Sequence, residues 1–391
     1  MSSATRLLLA GLLAMALVMG IGRFYYTPML PLMQADYGFD AAVAGFIASA
    51  NFAGYLAGSI AASFIRPGRA RLWIFRLSVV ASLVTTAAMG MTDDTTAWLV
   101  LRTISGIASA LAMICATTLI SEALFTVDEA GRISWIFVGV GAGIALSGIL
   151  TQVAGGALSS SSMWYLAGGL CVLMVPFIFA ELRDRTLERR PHKAHGRLRQ
   201  PRPLPFMALL INYTCEGLGY SVFATFIVVI VKESPGMEGF ADWVWVIAGI
   251  AGAFSILLWA AIAGRIGYAA ALAAAYLLQV VGTALPALSG SGLAAIVAAA
   301  MFGGTFMGIT MLTLAVGRQS VDGRGIAILT VGFGLGQMIG PAVAGYMVTA
   351  GYSYSAALIG SAGVLLFGLA VLVVAIALRN MGFTRGGDPA I

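Results

Sequence analysis

The chain has 391 residues, of which 60% are hydrophobic and only 10% charged, with a mean hydropathy of +0.95. A soluble domain is nearer half apolar and a quarter charged, so no soluble fold of this size could hide this much apolar surface from water. The net charge of +6 would suit a nucleic-acid partner, but the placement of the charges removes that need.

A helix that crosses a bilayer needs roughly 20 mainly apolar residues. In chain order such runs fall at 7–33, 41–65, 72–91, 97–122, 133–157 and 163–180. Six more follow at 205–231, 243–263, 267–288, 293–316, 325–349 and 355–378. The first run follows Arg6 and resembles a secretion signal at its start. It continues to Met33 without a small-residue cleavage site, which makes it a membrane span. The predicted fold class is an all-α membrane protein of twelve transmembrane helices. The only long polar stretch is rich in Arg and Pro and separates six spans from six. Residues 1–180 and 205–391 are therefore expected to form two six-helix bundles, with 181–204 as a basic linker between them.

An even number of spans puts both termini on one side. That side carries 18 of the 22 basic residues, including Arg66, Arg69, Arg71 and the run from Arg183 to Arg202. The other side has Lys232 with Asp36, Asp40, Asp93, Asp94, Glu233, Glu238 and Asp242. By the positive-inside rule both termini are expected to be cytoplasmic, in a bacterial-type inner membrane. The basic balance then faces anionic lipid, and no nucleic acid is expected as a partner.

The second half echoes the first at a shift of roughly 193 to 198 residues. Gly20-Ile21-Gly22 matches Gly217-Leu218-Gly219, Gly106 matches Gly303, and Gly139 to Gly143 matches Gly332 to Gly336. Glu129 matches Asp322. Glycine is common in membrane helices and some pairs arise by chance, but these keep chain order at nearly one shift. They remove side-chain bulk where helices cross closely. Pro341 follows Gly340 and predicts a kink in the eleventh span.

Twelve spans, a basic central loop and six-plus-six repetition resemble the major facilitator superfamily over essentially the whole chain. Arg102-x-x-x-Gly106 resembles its Arg-containing motif in the fourth span, and Gly332 to Gly345 resembles its Gly-Pro motif. The opening Gly20-Ile-Gly-Arg-Phe-Tyr-Tyr-Thr-Pro-Met-Leu-Pro-Leu-Met33 is similar to the YbfB/YjiJ-type branch. The resemblance implies solute transport by alternating access, and a role for Arg102 in proton coupling or gating. Two departures stand against a charge-relay gate at the loop after the second span and against export by antiport. Ile65 occupies the place where the loop motif after the second span usually has Asp, and the fifth span lacks the Gly-Pro of the antiporter motif.

Ionisable groups inside spans are costly and usually functional. Arg23 lies roughly 24 Å along the first span, and its planar guanidinium fits a carboxylate. It is read as an anchor for an anionic substrate, or as a structural partner for Glu216 or a carbonyl. Glu216, near the middle of the seventh span, can carry a proton across if it titrates within the membrane. Whether the two pair is left open. Asn212, Glu216 and Tyr220 share a helical face, as do Asn51 and Tyr55, and such stripes suit either a cavity wall or interhelical hydrogen bonds. Tyr26 is a substrate-contact candidate, although it and Tyr25 also suit interfacial anchoring. Gln337 is a further cavity candidate. Arg102 alternatively ties helices or snorkels, Arg76 is read as snorkelling, and Glu122 is read as a gate or helix-end contact. Pro341 joins Glu122 as a gating candidate.

No P-loop, His-Glu-x-x-His, Gly-x-Ser-x-Gly or Gly-x-Gly-x-x-Gly pattern occurs, so ATPase, metalloprotease, hydrolase and dinucleotide chemistries lack support. The expectation is a non-enzymatic secondary transporter of a small organic anion or zwitterion, proton-coupled and acting as a monomer. Its partners are the solute, protons and lipid, with no cofactor and no metal. The alternatives are an exporter of lipophilic or cationic compounds, with Glu216 as cation partner, and a non-transporting solute sensor.

Overall fold

The computed structural model describes residues 2–126, 130–183, 204–318 and 324–381. Most of the expected linker, and the Glu129 and Asp322 pair, lie outside the described residues. Among those described there are twelve helical segments long and apolar enough to cross a membrane, at the places expected from the sequence. The chain is a multi-pass membrane protein.

The first span differs from the continuous helix expected. It consists of α1 (Ser3–Met15), a π-helical stretch (Ala16–Ile21) and, after a break, α2 (Tyr26–Tyr37). Pro28 explains the break. It lacks the N–H that would bond the Phe24 carbonyl, and it sits in the first turn of α2, where a helix accommodates proline best. Thr27 N accordingly bonds the Phe24 carbonyl at 3.3 Å, a tightened turn. The later spans are α3 (Ala41–Ala62), α4 (Arg69–Ala88), α5 (Thr95–Thr126), α6 (Val138–Ala154) and α7 (Ser160–Glu181). They continue as α8 (Phe206–Glu233), α9 (Ala241–Ile266), α10 (Tyr268–Ser289), α11 (Gly292–Gly317), α12 (Arg324–Thr349) and α13 (Tyr354–Asn380). The helix α12 runs unbroken through Pro341. The interruption falls in the first span.

The internal repeat is visible in the packing. Gly106 of α5 backs onto the Asn51 carbonyl of α3, and Gly303 of α11 backs onto the Ala248 carbonyl of α9. Both members of the contact are displaced by the same 197 residues. A methyl group at either glycine would overlap the facing backbone. Likewise α6 crosses the first span at Gly143 and Gly20, and α12 crosses α8 at Gly336 and Gly217.

Contacts between the two groups of helices gather from mid-membrane to the side opposite the chain ends. There Ala42 N donates to Thr349 Oγ1 at 3.0 Å, Trp245 Nε1 to Ser147 Oγ at 3.2 Å, and Thr27 Oγ1 to the Ala224 carbonyl at 2.5 Å. Gly45 meets the Pro341 carbonyl, and Gly345 meets the Ala41 carbonyl.

Candidate functional site

The break in the first span frees two carbonyls inside the membrane, where an unpaired polar group is expensive. Arg102 of α5 meets both: Nη1 donates to the Gly22 carbonyl at 3.1 Å and Nη2 to the Arg23 carbonyl at 2.7 Å. Ser105, one turn on, donates to the same Gly22 carbonyl at 2.9 Å. Asn51 Nδ2 in turn holds the Arg102 carbonyl at 3.0 Å. The partners of Arg102 are thus backbone groups of another helix, together with the Tyr26 ring 5.1 Å from its guanidinium carbon.

The anchored segment aims Arg23 into the space between the halves. Its guanidinium carbon stacks 3.7 Å from the centre of the Tyr55 ring, with Phe52 at 5.0 Å and Phe24 at 5.4 Å. Nη2 donates to Gln337 Oε1 across the interface at 3.2 Å. Gln337 also lies against the Tyr220 hydroxyl. Arg23 and Arg102 are each 3% exposed, and the Nε atom of each is buried without a partner. They are near enough to repel each other. Both line one small pocket with Thr27, Asn51, Ala224 and Thr225. Among the described residues no carboxylate partners either of them. Glu122, read as a gate or helix-end contact, accepts from Arg71 Nη1 at 2.8 Å in an ion pair within the first half. Arg76 Nη2 donates to the Leu182 carbonyl at 3.3 Å.

Glu216 does not pair with Arg23. Its carboxyl is 1% exposed and turns into the second half, where Gln279 Nε2 of α10 donates to Oε1 at 2.6 Å. Gln279 Oε1 accepts from Thr305 of α11 at 2.8 Å. One turn back, Asn212 Nδ2 donates to the Gly368 carbonyl of α13 at 3.0 Å, and the Tyr276 hydroxyl donates to the Asn212 carbonyl. Glu216 Oε2 and Asn212 Oδ1 are both buried with no partner. The polar stripe on α8 thus faces the interior of its own bundle, and only Tyr220 of that stripe reaches the seam between halves, edge-on to Phe52. Tyr25 and Tyr26 are buried, not interfacial; their hydroxyls donate to the Met163 and Ala44 carbonyls at 3.4 Å and 3.1 Å.

The sequence reading missed Gln279, Thr305 and Ser105. Gln279 had a visible signal, being a lone amide in an otherwise apolar run. Ser105 had none, since a serine in a membrane helix commonly bonds its own backbone.

A twelve-span bundle with twofold internal packing and buried charges at its midplane is the architecture of a secondary transporter of the major facilitator type. The chain belongs to the family described as "Uncharacterised MFS-type transporter YbfB", whose model matches residues 15–373. It is a transporter, not an enzyme. Among solved structures, the nucleoside transporter NupG matches with a TM-score of 0.69 at 16% identity, over 97% of this chain and 99% of that one. A bacterial homologue of the human lysosomal transporter Spinster, in an inward-facing and unoccupied conformation, also matches at 0.69 and 16%, over 100% of this chain and 99% of that one. At such identity these likenesses show the fold. No curated protein matches the sequence significantly.

Proposed function

We propose that the protein carries a small organic anion across the inner membrane by alternating access, with both termini cytoplasmic and with proton coupling. One observation carries the cargo reading: Arg23 and Arg102 line a common pocket, both buried, and among the described residues neither has a carboxylate partner. Two uncompensated buried cations cost several kcal/mol each unless a counter-charge joins them. A carboxylate arriving at the unpartnered Nε edge of Arg23 supplies that charge through charge-assisted hydrogen bonds. Arg102 contributes by holding the backbone that presents Arg23, and by its positive field.

Glu216 is the proposed proton carrier. Its unpartnered Oε2 lies one helical turn from the unpartnered Oδ1 of Asn212, and helical side chains lean back toward the N-terminus. A proton on Oε2 would make that oxygen a donor, and Asn212 Oδ1, four residues back on the same helical face, is an acceptor without a partner. Because Gln279 and Asn212 tie α8 to α10 and α13, the charge on Glu216 bears on how α8 packs. The halves 1–180 and 205–391 would then rock about the midplane, the interface on the far side alternately closing and parting. The cation-exporter reading has less support, since Glu216 turns away from the pocket.

The test is uptake and counterflow of labelled organic acids in proteoliposomes. Arg23→Gln is expected to abolish both. Counterflow of anions that is indifferent to Arg23→Gln would sink the cargo reading.

A further inference from the structure

The wall facing Arg23 is built of flat rings. Tyr213 and Tyr220 of α8, Phe302 and Phe306 of α11, and Phe333 of α12 lie nearly parallel to their ring neighbours, and Phe223 of α8 stacks on Phe302 at 23° and 4.4 Å. Tyr220 and Phe302 differ by 4° at 5.8 Å, Tyr220 and Phe306 by 5° at 5.8 Å, and Phe302 and Phe306 by 8° at 5.4 Å. Phe333 lies between Tyr220 (17° at 5.9 Å) and Tyr213 (13° at 4.4 Å).

This slab belongs wholly to the second half, and two rings of the first half meet it at steep angles. Phe52 meets Tyr220 edge-on at 6.4 Å, and Phe24 meets Phe306 edge-on at 6.4 Å. Those same two rings flank the Arg23 guanidinium. If the halves part, Phe24 and Phe52 leave with Arg23, and the slab loses its edge contacts on that side. A seam that only had to be greasy would need apolar volume, which Leu and Ile supply equally well. Six such rings from three helices offer stacking and edge contacts that an aliphatic group cannot use. Tyr55 and Phe333, at the margins of the seam, are half-buried, so rings are presented at its rim as well as within.

We infer that the cargo is an anion bearing a planar aromatic or heteroaromatic ring, its charge held by Arg23 and its ring seated at this slab. The inference rests on the anion reading above and adds the ring. Gln337, shared by Arg23 and the Tyr220 hydroxyl, sits where charge and ring would join, and would register the two parts of the cargo.

The experiment is calorimetric binding to purified full-length protein of matched acids with similar apolar volume: benzoate and phenylacetate against cyclohexanecarboxylate and cyclohexylacetate. The aromatic member of each pair is expected to bind about tenfold tighter. Phe302→Leu, with Phe333→Leu as a second variant should the first fail to fold, is expected to cut that ratio to about two. Equal affinities within the pairs, or a Leu variant that weakens both members by the same factor, would overturn the ring. Absence of binding by all four acids, or binding that ignores Arg23→Gln, would overturn the anion reading together with it. Tight Arg23-dependent binding without ring preference would overturn the ring alone.

Discussion

Arg102 Nη2 donates to the backbone carbonyl of Arg23 at 2.7 Å, so one buried arginine fixes the main chain that carries the other. The contact joins α5 to the break in the first span and gives the Arg23 carbonyl a donor where Thr27 N, its regular helical partner, has turned to the Phe24 carbonyl. It makes the position of the Arg23 guanidinium depend on a residue 79 positions away in the chain.

Arg102→Ala is expected to destabilise the protein by about 2–4 kcal/mol, because two buried carbonyls lose charged donors. Arg102→Lys should recover only part of this, since an ammonium lacks the planar fork that reaches both oxygens. Denaturation midpoints in a mild detergent check the order wild type, Lys, Ala. Indistinguishable midpoints would remove the anchoring role.

Arg23→Ala should leave the fold intact and weaken binding of organic anions by about ten- to a hundredfold, the worth of a charge-assisted pair. Titration calorimetry with a panel of carboxylates reads the change. An unchanged affinity would assign Arg23 to structure alone.

Glu216→Gln keeps the shape and the Gln279 contact while removing the exchangeable charge. Uptake into proteoliposomes should then become insensitive to an imposed pH gradient, whereas solute counterflow at equal pH persists. Asn212→Ala should impair gradient-driven uptake more than counterflow. Gradient-driven uptake that survives Glu216→Gln would place the coupling elsewhere.

Ala42 and Thr349 meet across the two halves on the side away from the chain ends. A disulfide between Ala42→Cys and Thr349→Cys, in a background without Cys115, Cys171 and Cys215, should stop transport under oxidation and restore it on reduction. Solute binding should persist in the oxidised protein. Full transport with the bond formed would rule out parting of this interface.

Close crossings at glycine should tolerate no side chain. Gly106→Val and Gly303→Val, symmetric positions in the two halves, should each cost more than about 1–3 kcal/mol through overpacking against backbone. Folded yield by size exclusion measures this, with Gly169→Val as control, since a methyl there meets nothing within 4 Å.

The sequence by itself determined the twelve spans, the two-fold repetition and the identity of the buried ionisable groups. Lipid is a uniform apolar solvent, so the length and composition of each segment decide whether it crosses, without reference to its neighbours. The break at Pro28 also has a local signal, a proline within an apolar run, which hydropathy alone does not register. What only the tertiary structure decided is which polar groups meet. Helix α8 is enclosed by protein on most sides, so its polar stripe does not by itself say which neighbour it faces. Its rotation is set by Gly217 backing onto α12 and Gly219 onto Leu365 of α13. It turns Glu216 toward Gln279 and away from Arg23. Arg23 meets instead a glutamine 314 residues along the chain, a neighbour that the packing of two separate bundles creates.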